Sequence, residues 1–259
     1  MHGLGNDFVI VDARKEPLDV TPSLARAIAD RRTGVGCDQL IVLEPSEHAD
    51  LLMRIWNSDG GEVESCGNAT RCIVQLTGAT TIETAGGLLS GEALYGEVEV
   101  AIGEPRFGWD EIPLAYPMDT KALPLAWGRL EKPFAVNVGN PHVVYLVEDA
   151  RDVPLDELGP RIENDPVFPE RINVNVATYV DNRLKLRTFE RGAGETLACG
   201  TGACASAVAA IACGQAQSPV TVDMSGGSLV ISWAPGEPIR MRGGATHVYE
   251  GELDLEALS

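Results

Sequence analysis

Residues 61–70, Gly-Glu-Val-Glu-Ser-Cys-Gly-Asn-Ala-Thr, and residues 194–203, Gly-Glu-Thr-Leu-Ala-Cys-Gly-Thr-Gly-Ala, share one frame: Gly-Glu, three residues, then Cys-Gly. The agreement extends outward on both sides. Asn57 lies nine residues before Cys66, and Glu190 nine before Cys199. Gly5-Asn6 opens the apolar run Phe8–Val11, and Gly139-Asn140 opens Val143–Val147. Downstream, Thr81-Ile82-Glu83 before Gly86-Gly87 matches Thr221-Val222-Asp223 before Gly226-Gly227. The offsets nearly coincide: 139 − 5 is 134, and 190 − 57 and 199 − 66 are both 133. Several matches in one order at one spacing indicate a duplicated unit of about 130 residues, an ordinary domain size.

Short strand-like runs, separated by Gly, Pro, Asn and Asp, recur in each half. The first half reads as strands at Asp7–Asp12, Gln39–Leu43, Leu51–Asn57 and Leu94–Ile102. The second reads as strands at Val143–Val147, Asn173–Val180, Leu184–Phe189, Pro219–Asp223, Leu229–Trp233 and Ile239–Gly243. One helix follows each cysteine, Asn68–Thr77 before Gly78 and Thr201–Cys213 before Gly214, where a C-terminal glycine is expected. A further helix over Pro22–Arg32 has Thr21 as N-cap and proline in its first turn. The expected fold is α+β. Two pseudo-symmetric domains, each a mostly antiparallel, barrel-like sheet around one central helix, would hold the active site in the cleft between them. The halves are placed at 1–110, completed by the C-terminal tail, and 111–247, with the Pro-rich Glu104–Pro124 as linker.

Composition limits the function classes. A hydrophobic fraction of 44% and a charged fraction of 22% are those of a globular protein. The net charge of −18 argues against nucleic acid or an anionic membrane surface as partner. The first residues carry no basic and apolar leader, so a cytoplasmic protein is expected. The six cysteines contain no Cys-x-x-Cys spacing and no nearby His, which excludes a standard zinc knuckle. Cys37, Cys72, Cys204 and Cys213 are expected to be small buried residues. No metal and no cofactor is expected, since neither a complete dinucleotide fingerprint nor a phosphate loop is present.

Cys66 and Cys199 are different because each immediately precedes a glycine and a helix start. Unpaired N–H groups and the positive dipole end there favour an anion. The expectation is a thiol with its pKa lowered towards neutrality, able to give and take protons. Two such thiols facing each other across a cleft suit inversion at a carbon acid: one removes a proton from one face, and the other delivers one to the opposite face. The same N–H groups can hold a carboxylate and the charge developing on it.

At these residues the chain resembles the diaminopimelate epimerase family over nearly its full length. The matching segments are Met1–Phe8 (MHGLGNDF), Gly34–Leu40 (GVGCDQL), Arg54–Cys72 (RIWNSDGGEVESCGNATRC), Gly139–His142 (GNPH) and Glu190–Cys204 (ERGAGETLACGTGAC). The resemblance implies interconversion of LL- and meso-diaminopimelate without pyridoxal phosphate, in lysine and cell-wall precursor synthesis. Cys66 and Cys199 fall on the catalytic thiols. Asn6, Gln39, Asn57, Asn140, Asn173, Glu190 and Arg191 fall on substrate-contacting positions, and Gly67, Asn68, Gly200 and Thr201 on the carboxylate cradle. His142 and Glu190 fall on positions that tune the thiols. Asn175, two residues beyond Asn173, competes with it as the ligand. Two other readings stay open: a thiol epimerase of another amino acid, such as a proline derivative, and a non-catalytic amino-acid-binding protein. The expected partner is a small-molecule substrate, with a homodimer left open.

Overall fold

A computed structural model describes residues 1–64 and 66–255. The chain forms two compact units. The first comprises Met1–Val100 and the chain from Gly243 onward, and the second comprises Ala101–Arg242.

In the first unit the strand order is His2–Gly3, Asn6–Asp12, Gln39–Glu44, Leu51–Asn57, Thr81–Thr84, Gly87–Leu94 and Glu97–Gly103. Glu62–Val63 adds beside Leu51–Asn57. Helix α1 (Pro22–Ala29) packs Ala25 and Ile28 with Leu40, Val42 and Trp56. Thr21 caps it by accepting from Leu24 N at 3.2 Å. It ends before the expected Arg32 because Asp30 turns extended, its carboxylate accepting from Arg32 N and Thr33 N at 2.7 and 2.8 Å. Helix α2 (Gly67–Thr77) buries Asn68 to Val74 and stops at Gly78, whose φ of 71° suits a left-handed C-cap. The edge at His2 is bridged by Thr246, so the returning tail belongs to this sheet.

The second unit repeats the order as Phe134–Asn137, Pro141–Leu146, Asn173–Val180, Arg183–Glu190, Val220–Met224, Gly227–Ser232 and Ile239–Gly243, with Gly194–Thr196 beside Arg183–Glu190. The registers repeat as well. The parallel pair Phe8↔Gln39 becomes His142↔Asn173, shifted by 134 (142 − 8 and 173 − 39). The pair Trp56↔Glu62 becomes Phe189↔Glu195, shifted by 133 (189 − 56 and 195 − 62). Helix α3 (Leu155–Glu163) covers the outer face, where Leu158 and Ile162 join Trp127, Phe168 and Val174. Helix α4 (Gly200–Ala212) is buried from Gly202 to Ala210. Its alanines leave room for a helix surrounded by strands on several sides.

Three expectations are corrected. Leu94–Ile102 is not one strand, because Tyr95 and Gly96, at φ 49° and 89°, form the turn of a hairpin. Glu104–Pro124 is not a free linker. Arg106 bridges Asn137, and Ile112, Leu114 and Leu123 enter the core of the second unit. Cys213 is exposed, since it sits at the C-cap of α4 rather than on its buried face. Among the described residues no helix is long and apolar enough to cross a membrane.

Candidate active site

Each unit presents a cysteine at the N-cap of its central helix, followed by glycine as the first helical residue. The backbone at Cys66 and Cys199 is extended (φ −148° and −120°), which turns the chain from the preceding strand into the helix.

In the first unit, Cys66 Sγ lies 3.9 Å from Asn6 Oδ1, which also accepts from Asn68 Nδ2 at 3.3 Å. Asn6 sits just past the turn at Leu4-Gly5, whose φ values of 57° and 88° let two short strands reverse. Its side chain is anchored from behind. Asn6 Nδ2 donates to Asp38 Oδ2 at 3.0 Å, and Arg31 forks onto Asp7 and Asp38 at 2.8 Å. The Arg31 guanidinium holds the Asp7 carboxyl below its ordinary range. On the adjoining strands Gln39 Nε2 donates to Asn57 Oδ1 at 2.9 Å, while Gln39 Oε1 is buried and meets no donor among the described residues. Asn68 Oδ1 accepts from the buried Arg71 at 2.8 Å, which fixes the Asn68 amide.

The second unit has the same plan with charge added. Glu190 stands where the first unit has Asn57, and Cys199 Sγ donates to Glu190 Oε2 at 3.1 Å. Glu190 Oε1 accepts from Thr196 at 2.5 Å. Thr201 Oγ1 and Gly202 N approach the sulfur at 3.5 and 3.3 Å. The expected acidification of this thiol is reversed: burial first, and then the Glu190 charge, push Cys199 well above its ordinary value, against the pull of Thr201 and Gly202 N. A helix end is worth at most about 2 kcal/mol to an anion, which desolvation and an adjacent carboxylate exceed. Cys199 is therefore a protonated thiol that donates to a carboxylate.

His142 is fully buried, with Nε2 2.8 Å from Asn140 Oδ1 and Nδ1 3.0 Å from Asn175 Nδ2. Burial, and then the Arg191 charge, bring its pKa down to about 3, so it is neutral. Its hydrogen bonds go to these two asparagines rather than to a thiol. Asn173 Nδ2 donates to Pro141 O at 2.9 Å and its Oδ1 accepts from Arg191 N at 3.0 Å, so both ends of its amide hold backbone. The exposed Arg191 guanidinium donates through Nη1 to Glu170 O at 3.0 Å.

Thus each unit gathers its own expected residues: Cys66 with Asn6 and Asn68, and Gln39 with Asn57, in the first. The second gathers Cys199 with Glu190 and Thr201, Asn140 with His142, and Asn173 with Arg191. Contributors not foreseen include Asp38, backed by Arg31, which anchors Asn6; Arg71, which fixes Asn68; and Thr196, which holds Glu190. Only the Gly-Glu-Thr placement beside Glu190 could have hinted at the last. Gly202 also supplies an N–H to the sulfur. Among the described residues no group of three or more His, Cys, Asp or Glu could hold a metal ion.

The solved structures with similar folds include a protein of the phenazine biosynthesis PhzF family from Bacillus anthracis. It is 19% identical with a TM-score of 0.67, covering 98% of this chain and 95% of that one. A hydroxyproline epimerase from Agrobacterium vitis is 14% identical with a TM-score of 0.62, covering 94% and 86%. At these identities the likeness is one of fold. Sequence relatives are much nearer. A diaminopimelate epimerase of Sphingopyxis alaskensis is 62% identical over 98% of this chain and 96% of its own length. One of Rhizorhabdus wittichii is 63% identical over 99% and 95%. The family model described as diaminopimelate epimerase matches residues 1–107 and 134–248, and with the near-full-length relatives it shows that this chain belongs to the diaminopimelate epimerase family.

Proposed function

We propose that the chain is an isomerase that interconverts LL- and meso-2,6-diaminopimelate by thiol proton transfer at the α-carbon, in lysine and peptidoglycan precursor synthesis. The observation carrying the mechanism is the unlike setting of two like-placed cysteines. Cys199 is a protonated thiol donating to Glu190, whereas neutral Asn57 occupies the matching place on the side of Cys66.

In one direction the Cys66 thiolate takes the α-proton and becomes a thiol. The electron pair left on carbon delocalises into the α-carboxylate, and the Cys199 thiol returns a proton to the opposite face. The helix-start N–H groups after Gly67 and Gly200 stabilise the charge on that carboxylate. The new Cys199 thiolate would lie beside Glu190, and the Gly202 N–H and Thr201 hydroxyl offset that repulsion. Reversal of the roles converts the other stereoisomer. Gln39 Oε1, a buried acceptor lacking a donor, suits the substrate ammonium group.

Diaminopimelate carries a second amino-acid end, and Arg191 is the cation assigned to its carboxylate, a task matched to the guanidinium fork. A proline-type substrate would need no such cation. The test is α-hydrogen exchange in heavy water with diaminopimelate, lysine and hydroxyproline in parallel. Exchange into diaminopimelate alone is expected; exchange into hydroxyproline with none into diaminopimelate would overturn the assignment.

A further inference from the structure

Behind the Asn140–His142 pair lies a buried polar relay. Asn175 Nδ2 donates to Val143 O at 3.0 Å and to His142 Nδ1 at 3.0 Å, and Asn175 Oδ1 accepts from Thr188 Oγ1 at 3.0 Å. The polarity of this chain is determined. A flipped Asn175 amide would set its oxygen against the Val143 carbonyl, so the nitrogen must face His142. His142 Nδ1 is then the acceptor, its proton lies on Nε2, and that N–H donates to Asn140 Oδ1. Asn140 is thereby held with its Nδ2 donors turned away from the histidine. Burial keeps His142 neutral, which preserves this order of donors and acceptors.

The other unit supplies the control. By the strand registers, Phe8 stands in the place of His142, Ile41 in that of Asn175 and Ile55 in that of Thr188; Ala69 stands in the place of Gly202. The same sheet around the same helix is built there from apolar side chains. The fold alone does not call for four polar or minimal residues at these places. Burying them costs more than burying hydrocarbon unless every bond is made.

We infer that Asn175 is a positioning residue: through His142 it fixes the Asn140 amide so that Nδ2 is presented to an acceptor on the substrate. The role assigned to the substrate rests on the epimerase reading; the proton placement on His142 does not. Asn175 is accordingly no ligand itself, although it shares a strand face with Asn173.

The experiment is imidazole 15N NMR of the full chain without substrate, with the His142 signal assigned by His142→Gln, paired with kinetics on diaminopimelate. The parent should show Nε2 protonated and Nδ1 bare. In Asn175→Asp the carboxylate cannot donate, so Nδ1 should gain a proton. The kcat/KM should fall about tenfold or more, as for losing a hydrogen bond to a charged group, with most of the loss in KM. Thr188→Ser should match the parent in both readouts, while Thr188→Val, which leaves Asn175 Oδ1 unpaired but keeps Nδ2 on Val143 O, should retain the parental tautomer with a raised KM. A parent His142 protonated on Nδ1 would overturn the proposal. So would an Asn175→Asp spectrum unchanged from the parent, or a switched tautomer with kcat/KM unaltered. Should Asn175→Asp not fold, identical behaviour of Thr188→Ser and Thr188→Val would overturn it equally. A chain inactive on diaminopimelate but with the expected tautomer would reject the proposed substrate and leave the relay standing.

Discussion

Replacing Gly202 by alanine would place a methyl group 2.6 Å from Asn175 Oδ1 and 2.8 Å from Thr188 Oγ1. Both neighbours are buried, short and bonded to each other, so neither is a flexible chain end that can swing aside. Overpacking of a tight interior costs about 1–3 kcal/mol. Relief by rotating Thr188 or Asn175 leaves a buried polar group unpaired, at about 1–3 kcal/mol. Alanine's helix propensity returns about 1 kcal/mol. The steric and polar losses win, giving a net destabilisation of about 1–5 kcal/mol. Urea unfolding followed by tryptophan fluorescence is the assay, since Trp109, Trp127 and Trp233 all lie in this unit. The midpoint should fall with little change in m. A change within about 0.5 kcal/mol, the ordinary range for an inert surface site, would refute the claim that α4 approaches this relay too closely for any side chain.

Cys66→Ala and Cys199→Ala should each abolish epimerisation while the circular dichroism stays native; more than a tenth of parental turnover in either folded variant would contradict the two-thiol mechanism. Glu190→Gln removes an anion that raises the proton affinity of Cys199, so alkylation of Cys199 at pH 8, mapped by mass spectrometry, should be faster, and slower labelling would reverse the assigned electrostatics. Arg191→Lys should lower kcat/KM for diaminopimelate roughly tenfold or more, the loss of a bidentate contact, and an unchanged value would remove Arg191 from substrate recognition. Stability should decline on the alkaline side: burial raises Cys72 from 9.0 to about 12, so its stabilising contribution is complete below 9.0 and lost as pH rises towards 12. Urea midpoints measured between pH 8 and 10.5 should fall less steeply in Cys72→Ala than in the parent.

The duplicated frame around Cys66 and Cys199 carried most of the fold, because paired registers such as Phe8↔Gln39 and His142↔Asn173 follow once two halves are recognised. Periodicity failed where a short turn interrupted an apolar run: Tyr95-Gly96 looks like strand continuation until the left-handed φ values are known. Proline content misrepresented Glu104–Pro124, because isolated anchors such as Ile112 and Leu123 have no period to betray burial. Asn173 and Asn175 could not be separated by pattern, since residues two apart on a strand share a face. Only their partners, Arg191 N for one and His142 for the other, distinguish them. The acidity of Cys199 was misjudged because helix-end stabilisation is visible in sequence, whereas desolvation and the approach of Glu190 are not.

The returning tail has a consequence for how the molecule is made. Thr246 bridges His2, and Gly244 O accepts from Arg71, so the first unit needs residues made only after the whole of the second unit. The second unit, Ala101–Arg242, is continuous and can close as soon as it emerges. Both units are therefore completed within a few residues of each other, Arg242 ending the second and Thr246 closing the first. At about 5–20 residues per second the N-terminal sheet waits roughly 10–30 s with its His2 edge unbridged. That edge offers free strand hydrogen bonds throughout the interval. The interval is when this chain is most open to mispairing with a neighbouring nascent copy.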